Sequence, residues 1–166
     1  MTRALSETEV YLALKKYLDG KGWEILGGQP PGGTNSIPLI ELKDHEYKGK
    51  GSKGSKKVDL IAFKRPYFLL IELKAFRSES DIAKLREITR SASWRRAFVE
   101  ALAEKRRLPG ALDREPYMDS DRFLVKALGF NQGEAPGPED FVTFLVGDRI
   151  SIHIGTGIPD QPRSLL

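Results

Sequence analysis

The sequence predicts an α/β protein with a central mixed β-sheet flanked by helices. Two helical segments and two β-hairpins support this class. Residues 6–20 and 80–107 carry apolar side chains at helical spacing, which predicts two long amphipathic helical segments. Two β-prone hairpins, at 57–75 and 141–154, supply most of the predicted strands. Helices and strands therefore alternate along the chain, which is typical of the α/β class.

The first helix is expected to begin at Ser6 and to end near Gly20. Ser6 and Glu9 have the spacing of a capping box, and Gly20 is followed by a second helix-ending glycine, Gly22. The segments expected before the first hairpin are a short strand at 23–26, a Gly/Pro/Asn-rich loop at 27–36, a short strand at 37–42 and a mobile, lysine- and glycine-rich loop at 44–57.

The second helical segment is expected to be broken near 91–93 and to end before Pro109 and Gly110. The segments expected after it are a loop at 111–120, a strand at 122–128, a Gly/Pro/acidic loop at 131–140, a hairpin of 141–146 with 149–154, and a loose tail from residue 159. No linker composition interrupts the chain, so residues 1–166 are expected to form one domain.

The composition limits the function classes. Hydrophobic residues make up 40% and charged residues 30% of the 166 residues, which is typical of a globular domain. The absence of cysteine excludes disulfide scaffolds, cysteine-ligated zinc and iron–sulfur clusters, and favours a cytoplasmic setting. No apolar run is long enough to span a bilayer, so no membrane partner is expected. The net charge of +4 permits nucleic-acid binding, and the many charged residues beside few Met and no Cys resemble thermophile composition.

Three of the charged residues in the hairpin at 57–75 lie near the same end of its two strands. Asp59 opens the first strand, and Glu72 and Lys74 lie on the second strand with their side chains on one face. Two carboxylates and a lysine at one sheet end suit a divalent cation with an adjacent nucleophilic water. The ordinary alternative is a cross-strand ion pair on a solvated face. The apolar residues around Glu72 favour the metal site, because a buried carboxylate needs a partner.

This Asp…Glu-x-Lys pattern resembles the PD-(D/E)XK nuclease superfamily, over roughly residues 1–110. Val58 stands where many members have proline. The resemblance implies a restriction-endonuclease-like α-β-β-β-α-β core, here with an extra C-terminal β-hairpin. It also implies Mg²⁺- (or Mn²⁺-) dependent hydrolysis of DNA phosphodiester bonds. Asp59, Glu72 and the backbone carbonyl of Leu73 would then hold the metal, and Lys74 would orient the attacking water.

Three further glutamates are candidates for the site or for ordinary structural roles. Many members of the superfamily carry a glutamate on the first helix near the metal, and Glu7 and Glu9 are the candidates here. Glu7 is preferred, because it extends the apolar stripe of the helix, whereas Glu9 is the expected capping partner of Ser6. Glu41 repeats the Glu-x-Lys pattern together with Lys43, but no aspartate lies one hairpin upstream, so Glu41 is expected to be a surface residue.

Basic residues near the predicted site are candidates for contacts with DNA phosphates. A solvated loop and a solvated helix face are the alternatives for them. The candidates are Lys48, Lys50, Lys53, Lys56 and Lys57 in the basic loop and Arg86 and Arg90 on the second helix.

Three function hypotheses therefore stand. The first is a metal-dependent nuclease, with a homodimer suggested by analogy to relatives that cut both strands. The second is a non-catalytic DNA-binding module of the same fold. The third is a structural α/β domain in which the charged residues of the hairpin form an incidental ion pair.

Overall fold

The structure is a computed structural model that describes residues 3–29, 31, 37–43 and 54–166. A mixed six-stranded sheet with helices on both faces forms its centre, which confirms the predicted α/β class. The helices are α1 (Glu7–Gly20), α2 (Glu79–Arg90), α3 (Ala92–Glu104), α4 (Glu115–Asp119) and α5 (Asp160–Arg163). The strands are β1 (Glu24–Gly27), β2 (Glu41–Lys43), β3 (Ser55–Lys57), β4 (Leu60–Lys64), β5 (Tyr67–Leu73), β6 (Leu124–Asn131), β7 (Val142–Val146) and β8 (Ile150–Ile154).

The large sheet has the strand order β1-β4-β5-β6-β7-β8. β1, β4 and β5 are antiparallel neighbours, β6 and β7 continue the sheet in parallel with β5, and β8 returns antiparallel to β7. The chain between β5 and β6 contains α2, α3 and α4, because a parallel pair needs a long crossover. β2 and β3 pair with each other in a separate two-stranded sheet.

Helix α1 begins as its sequence predicts. The Ser6 side chain accepts a hydrogen bond from the backbone of Glu9, and the Glu9 carboxylate accepts one from the Ser6 N–H at 2.7 Å. This reciprocal pair is the predicted capping box. Val10, Leu14 and their neighbours Tyr11 and Leu18 are fully buried on one side of the helix.

The two faces of the large sheet are covered by different helices. The side chains of Leu69, Ile71 and Leu73 on β5 pack in the cluster that contains the buried residues of α1. Phe68 and Leu70 pack in the other cluster, which contains the buried residues of α2 and α3. Because side chains alternate along a strand, Glu72 also points to the α2–α3 side. The site is therefore built between β5 and α2.

The predicted break in the long helical segment is confirmed at Ser91. This residue has extended backbone angles, ends α2 and accepts a hydrogen bond from the Trp94 N–H at the start of α3. Trp94 itself is buried in the core.

The structure differs from the predicted elements in four places. The strand predicted at 37–42 is confined to β2, Glu41–Lys43. The last part of the predicted basic loop, Ser55–Lys57, is strand β3, and residues 44–53 of that loop lie outside the described residues. Residues 115–119, predicted as loop, form the short helix α4. The C-terminal tail is docked instead of loose, because the carbonyls of Leu165 and Leu166 accept hydrogen bonds from Trp23 and Tyr17. Among the described residues, no helix has the length and apolarity needed to cross a membrane.

Candidate functional site

Asp59 and Glu72 meet at one end of the large sheet. Asp59 immediately precedes β4 instead of opening it, and Leu60 at the start of β4 pairs with Ile71 near the end of β5. The Asp59 Oδ2 atom accepts a hydrogen bond of 2.8 Å from the Leu73 N–H. The Asp59 carboxyl is also close enough to Glu72 to raise the pKa of Glu72, through hydrogen bonding and negative charge. The two residues that the sequence pattern singled out are thus brought together on one face.

The position of Asp59 depends on a close approach of the chain after β1. Gly28 has φ of +145°, and a Cβ built on it would lie 2.4 Å from the Asp59 carbonyl oxygen. The next residue, Gln29, donates its N–H to the Val58 carbonyl at 2.8 Å. Only glycine fits this contact, because any side chain would have to push the backbone at Asp59 away.

Glu72 is a buried acid with an unusual affinity for its proton. The residue is 1% exposed. Its pKa is raised to about 9, first by burial and then by the hydrogen bond and negative charge of Asp59, while Lys84 acts in the opposite direction. Two carboxyl groups in contact resist ionising together unless a cation joins them.

Lys84 on α2 supplies one such cation, and sequence reasoning missed it as a site residue. Its ammonium forms a close ion pair with Glu72 Oε1 and donates a hydrogen bond of 2.8 Å to the Lys57 carbonyl. Glu72 Oε1 nevertheless accepts no hydrogen bond of good geometry from the described residues. A buried acidic oxygen that accepts no hydrogen bond of good geometry is a suitable ligand for a hard cation.

Lys74 lies on the same side as Glu72 and interacts with a second residue that was missed, Asp81. Asp81, in the first turn of α2, is 8% exposed, and its Oδ2 atom accepts no hydrogen bond from the described part of the chain. Burial raises the pKa of Asp81, and the positive charges of Lys74 and Lys84 partly offset this effect. Asp81 precedes the buried Leu85 and Ile88 by four and seven residues, so a carboxylate on an apolar stripe was the available signal.

An open cleft of about 720 Å³ lies in front of these residues. One wall is the β2–β3 sheet and the other is α2. The residues lining the cleft are Gln29, Glu41, Ser55, Lys56, Lys57, Asp59, Ser80, Ala83, Lys84 and Glu87. Glu41, expected to be a plain surface residue, is half-buried in this wall, where it accepts a hydrogen bond from Ser55.

The two candidate glutamates of α1 have different positions. Glu9 is held by Arg3 and by the Ser6 N–H, and these bonds lower its pKa to about 2. It therefore has the predicted capping role. Glu7 is half-buried in the first turn. The buried side of α1 packs on the face of the sheet opposite to Glu72, so Glu7 could reach the site only around the end of the sheet, and its assignment stays a prediction.

The predicted basic contacts fall into three groups. Lys56 and Lys57 line the cleft, with Lys56 ion-paired to Glu87 at 3.1 Å and its ammonium 4.9 Å from the centre of the Trp94 ring. Arg86 and Arg90 instead lie away from the cleft-lining side of α2. Both pair with Asp140, Arg86 through two bonds of 2.8 and 3.1 Å. Lys48, Lys50 and Lys53 lie outside the described residues.

The donors at the site suit a divalent cation in part. In the described ranges, no group of three or more Asp, Glu, His or Cys side chains is arranged to hold a metal ion. Asp59 and Glu72 supply two carboxylates, and Leu73 can offer only its carbonyl, because its N–H donates to Asp59 and its side chain packs towards α1. Mg²⁺ is commonly held by one or two carboxylates and several waters, so this donor set fits it.

The site cannot be compared with that of a known relative, because neither a protein-family model, nor a curated protein, nor a solved structure matches this chain.

Proposed function

We propose that this chain is a divalent-metal-dependent nuclease that hydrolyses DNA phosphodiester bonds. The observation that carries the proposal is the buried Glu72 carboxyl beside the half-buried Asp59, next to a cleft that Lys56, Lys57 and Lys84 line. A buried acid in contact with a second carboxyl is costly for stability unless it serves a purpose, and binding a cation beside a polyanionic substrate is such a purpose.

The topology supports the finer fold assignment within this proposal. Helix α1 is followed by three antiparallel neighbours, β1, β4 and β5, and then by helices and the parallel strand β6. This is the α-β-β-β-α-β order implied by the resemblance to the PD-(D/E)XK superfamily. The strands β7 and β8 extend that core. The two strands of the β2–β3 sheet lie between β1 and β4 along the chain but outside the large sheet.

The residues have distinct roles in the proposed reaction. Asp59, Glu72 and the Leu73 carbonyl would hold Mg²⁺ or Mn²⁺, which when bound supplies charge to the phosphate and lowers the pKa of a water. Lys74 would orient the attacking water and stabilise the developing negative charge on the phosphate. Lys56 and Lys57 would contact the DNA backbone on the cleft wall. Asp81, buried and electrostatically coupled to Lys74, would restrain the lysine.

We also propose that the chain forms a homodimer and acts in the cytoplasm. A homodimer would present two sites to two DNA strands, by analogy with dimeric members of the superfamily. The cysteine-free composition supports the cytoplasm.

A non-catalytic DNA-binding module is the second candidate function. It is favoured by the contact between Lys84 and Glu72, because a lysine that already neutralises the acid pair can make a metal unnecessary. In that case the cleft lysines would bind DNA without cutting it.

A cleavage panel tests the proposal. Duplex, single-stranded, flapped and branched DNA would be incubated with Mg²⁺, Mn²⁺ or EDTA, using the unaltered protein, Asp59→Asn and the control Glu41→Gln. Glu41 lines the same cleft, and its hydrogen-bond partner is Ser55. We expect metal-dependent cleavage that falls by at least about 10²-fold in Asp59→Asn and persists in Glu41→Gln. Salt-dependent DNA binding with no cleavage in the presence of either metal would favour the binding module. The absence of both DNA binding and DNA cleavage would refute a nucleic-acid function.

A further inference from the structure

Lys84 lies between Glu72 and the cleft. The Glu72 side chain is 1% exposed and is not among the described residues that line the cleft, whereas Lys84 and Asp59 are. The Lys84 side chain is 26% exposed, and its ammonium contacts Glu72 Oε1 on the inner side. A cation that enters from the cleft would therefore meet Lys84 before it could reach both carboxylates.

The anchoring of Lys84 allows it to leave this position. Apart from Glu72, the bond that the structure gives its ammonium is a hydrogen bond of 2.8 Å to the Lys57 carbonyl on the cleft wall. A lysine ammonium on a four-carbon stem can rotate from the acid pair to solvent within the same cleft. The nearby Lys56 differs, because its ammonium is ion-paired with Glu87 and lies over the Trp94 ring.

We propose that Lys84 is the resident counterion of the acid pair of Asp59 and Glu72, that a divalent cation and the Lys84 ammonium compete for the Glu72 Oε1 position, and that the displaced ammonium becomes a phosphate contact in the cleft. This inference rests on the proposed metal site and adds a residue outside the Asp…Glu-x-Lys pattern. Two like charges cannot share the small volume at Glu72 without strong repulsion, which is the physical reason for the exchange.

The binding of Mn²⁺ in the absence of DNA tests the competition. Isothermal titration calorimetry would compare the unaltered protein with Lys84→Met, with the charge-retaining Lys84→Arg and with the matched control Lys56→Met. Loss of the competing charge is expected to tighten Mn²⁺ binding about tenfold in Lys84→Met. Lys84→Arg should not tighten it, and Lys56→Met should change it by less than about twofold, since Lys56 does not contact the acid pair.

Chemical acetylation of the unaltered protein gives a second measurement that does not depend on how a variant folds. Mass spectrometry would follow the labelling rate of Lys84 with and without Mn²⁺, with Lys56 as the internal reference. We expect Mn²⁺ to raise the labelling rate of Lys84 several-fold and to leave that of Lys56 unchanged, because only Lys84 would be released from an acid.

The outcomes separate this inference from the proposed function. The competition would be overturned if Glu72→Gln abolished Mn²⁺ binding, Lys84→Met bound Mn²⁺ no more tightly than the unaltered protein, and Mn²⁺ left the labelling rate of Lys84 unchanged. The metal site would then still stand. Binding by Lys84→Met but not by the unaltered protein would support the competition and favour the binding module. The absence of Glu72-dependent binding in all of these proteins would overturn the metal site and the competition with it.

Discussion

Replacing Glu72 by glutamine is expected to change how the stability of the metal-free protein depends on pH. The pKa of Glu72 is raised to about 9 by burial, by the hydrogen bond to Asp59 and by the negative charge of Asp59. The positive charge of Lys84 acts in the opposite direction. In the unfolded chain this carboxyl would titrate near pH ~4.3. Between these two values the folded protein holds a proton that the unfolded chain has released.

The sign and size of the effect follow from this difference in bound protons. A pKa raised in the folded state contributes stability that is complete below the unfolded value and is lost as pH rises towards the folded value. The free energy of unfolding should therefore fall by about 1.4 kcal/mol for each pH unit in this window, or at most about 4 kcal/mol between pH 5 and pH 8. Glu72→Gln removes the ionisation and should remove this slope.

Urea denaturation in EDTA at pH 5, 6, 7 and 8 would measure the effect as the difference between the unaltered protein and Glu72→Gln. Glu139→Gln is the matched control. The pKa of Glu139 is lowered by two hydrogen bonds from Thr156, so its contribution is lost only at acid pH, below this window. A difference between the unaltered protein and Glu72→Gln that stays constant from pH 5 to 8 would refute the buried acid pair.

Three other substitutions test the site and its support. Lys74→Ala is expected to leave DNA binding in gel-shift titrations nearly intact while slowing cleavage by about 10²–10³-fold; an equal loss of binding and cleavage would make Lys74 part of a general basic surface. Neutralising three lysines of segment 48–57 should instead weaken binding and reduce its salt slope by about one unit per lost phosphate contact, measured over several salt concentrations. Gly28→Ala should destabilise the protein by about 1–3 kcal/mol in urea denaturation and lower activity, because its Cβ would lie 2.4 Å from the Asp59 carbonyl oxygen. Gly20→Ala is the control, with nothing within 4 Å of its Cβ, and an equal loss in both glycine variants would contradict this reason.

The parts of the site that the sequence predicted depend on local pattern. The β4–β5 hairpin needs only two apolar runs and a short turn. Strand alternation then predicts that Glu72 and Lys74 share a face, although β5 ends at Leu73 and Lys74 directly follows it. The capping role of Glu9 and the break at Ser91 are likewise set by residues three positions away. Such short-range preferences act before any tertiary contact forms, so they can be read from the chain.

The parts that the sequence did not predict depend on contacts between distant segments. Lys84 reaches Glu72 only because α2 crosses the face of β5, and Glu41 becomes a cleft residue only because β2 pairs with β3. The residues of β3, Ser55–Lys57, are polar, so their sequence indicates a loop. They form a strand only because they pair with β2, which is distant in the sequence.

The sequence by itself determined the α/β class, the hairpin and the acidic pair of Asp59 and Glu72, because helical and strand periodicities and a charge within an apolar strand are visible along the chain. Only the tertiary structure decided which cations face that pair, that Asp81 is buried beside it, and that Arg86 is paired with Asp140 away from the cleft. The physical reason is that the strength of a charge–charge interaction depends on distance and burial. The distance between two charges and their burial are set by the packing of elements that are far apart in the sequence, and spacing along the chain does not determine them.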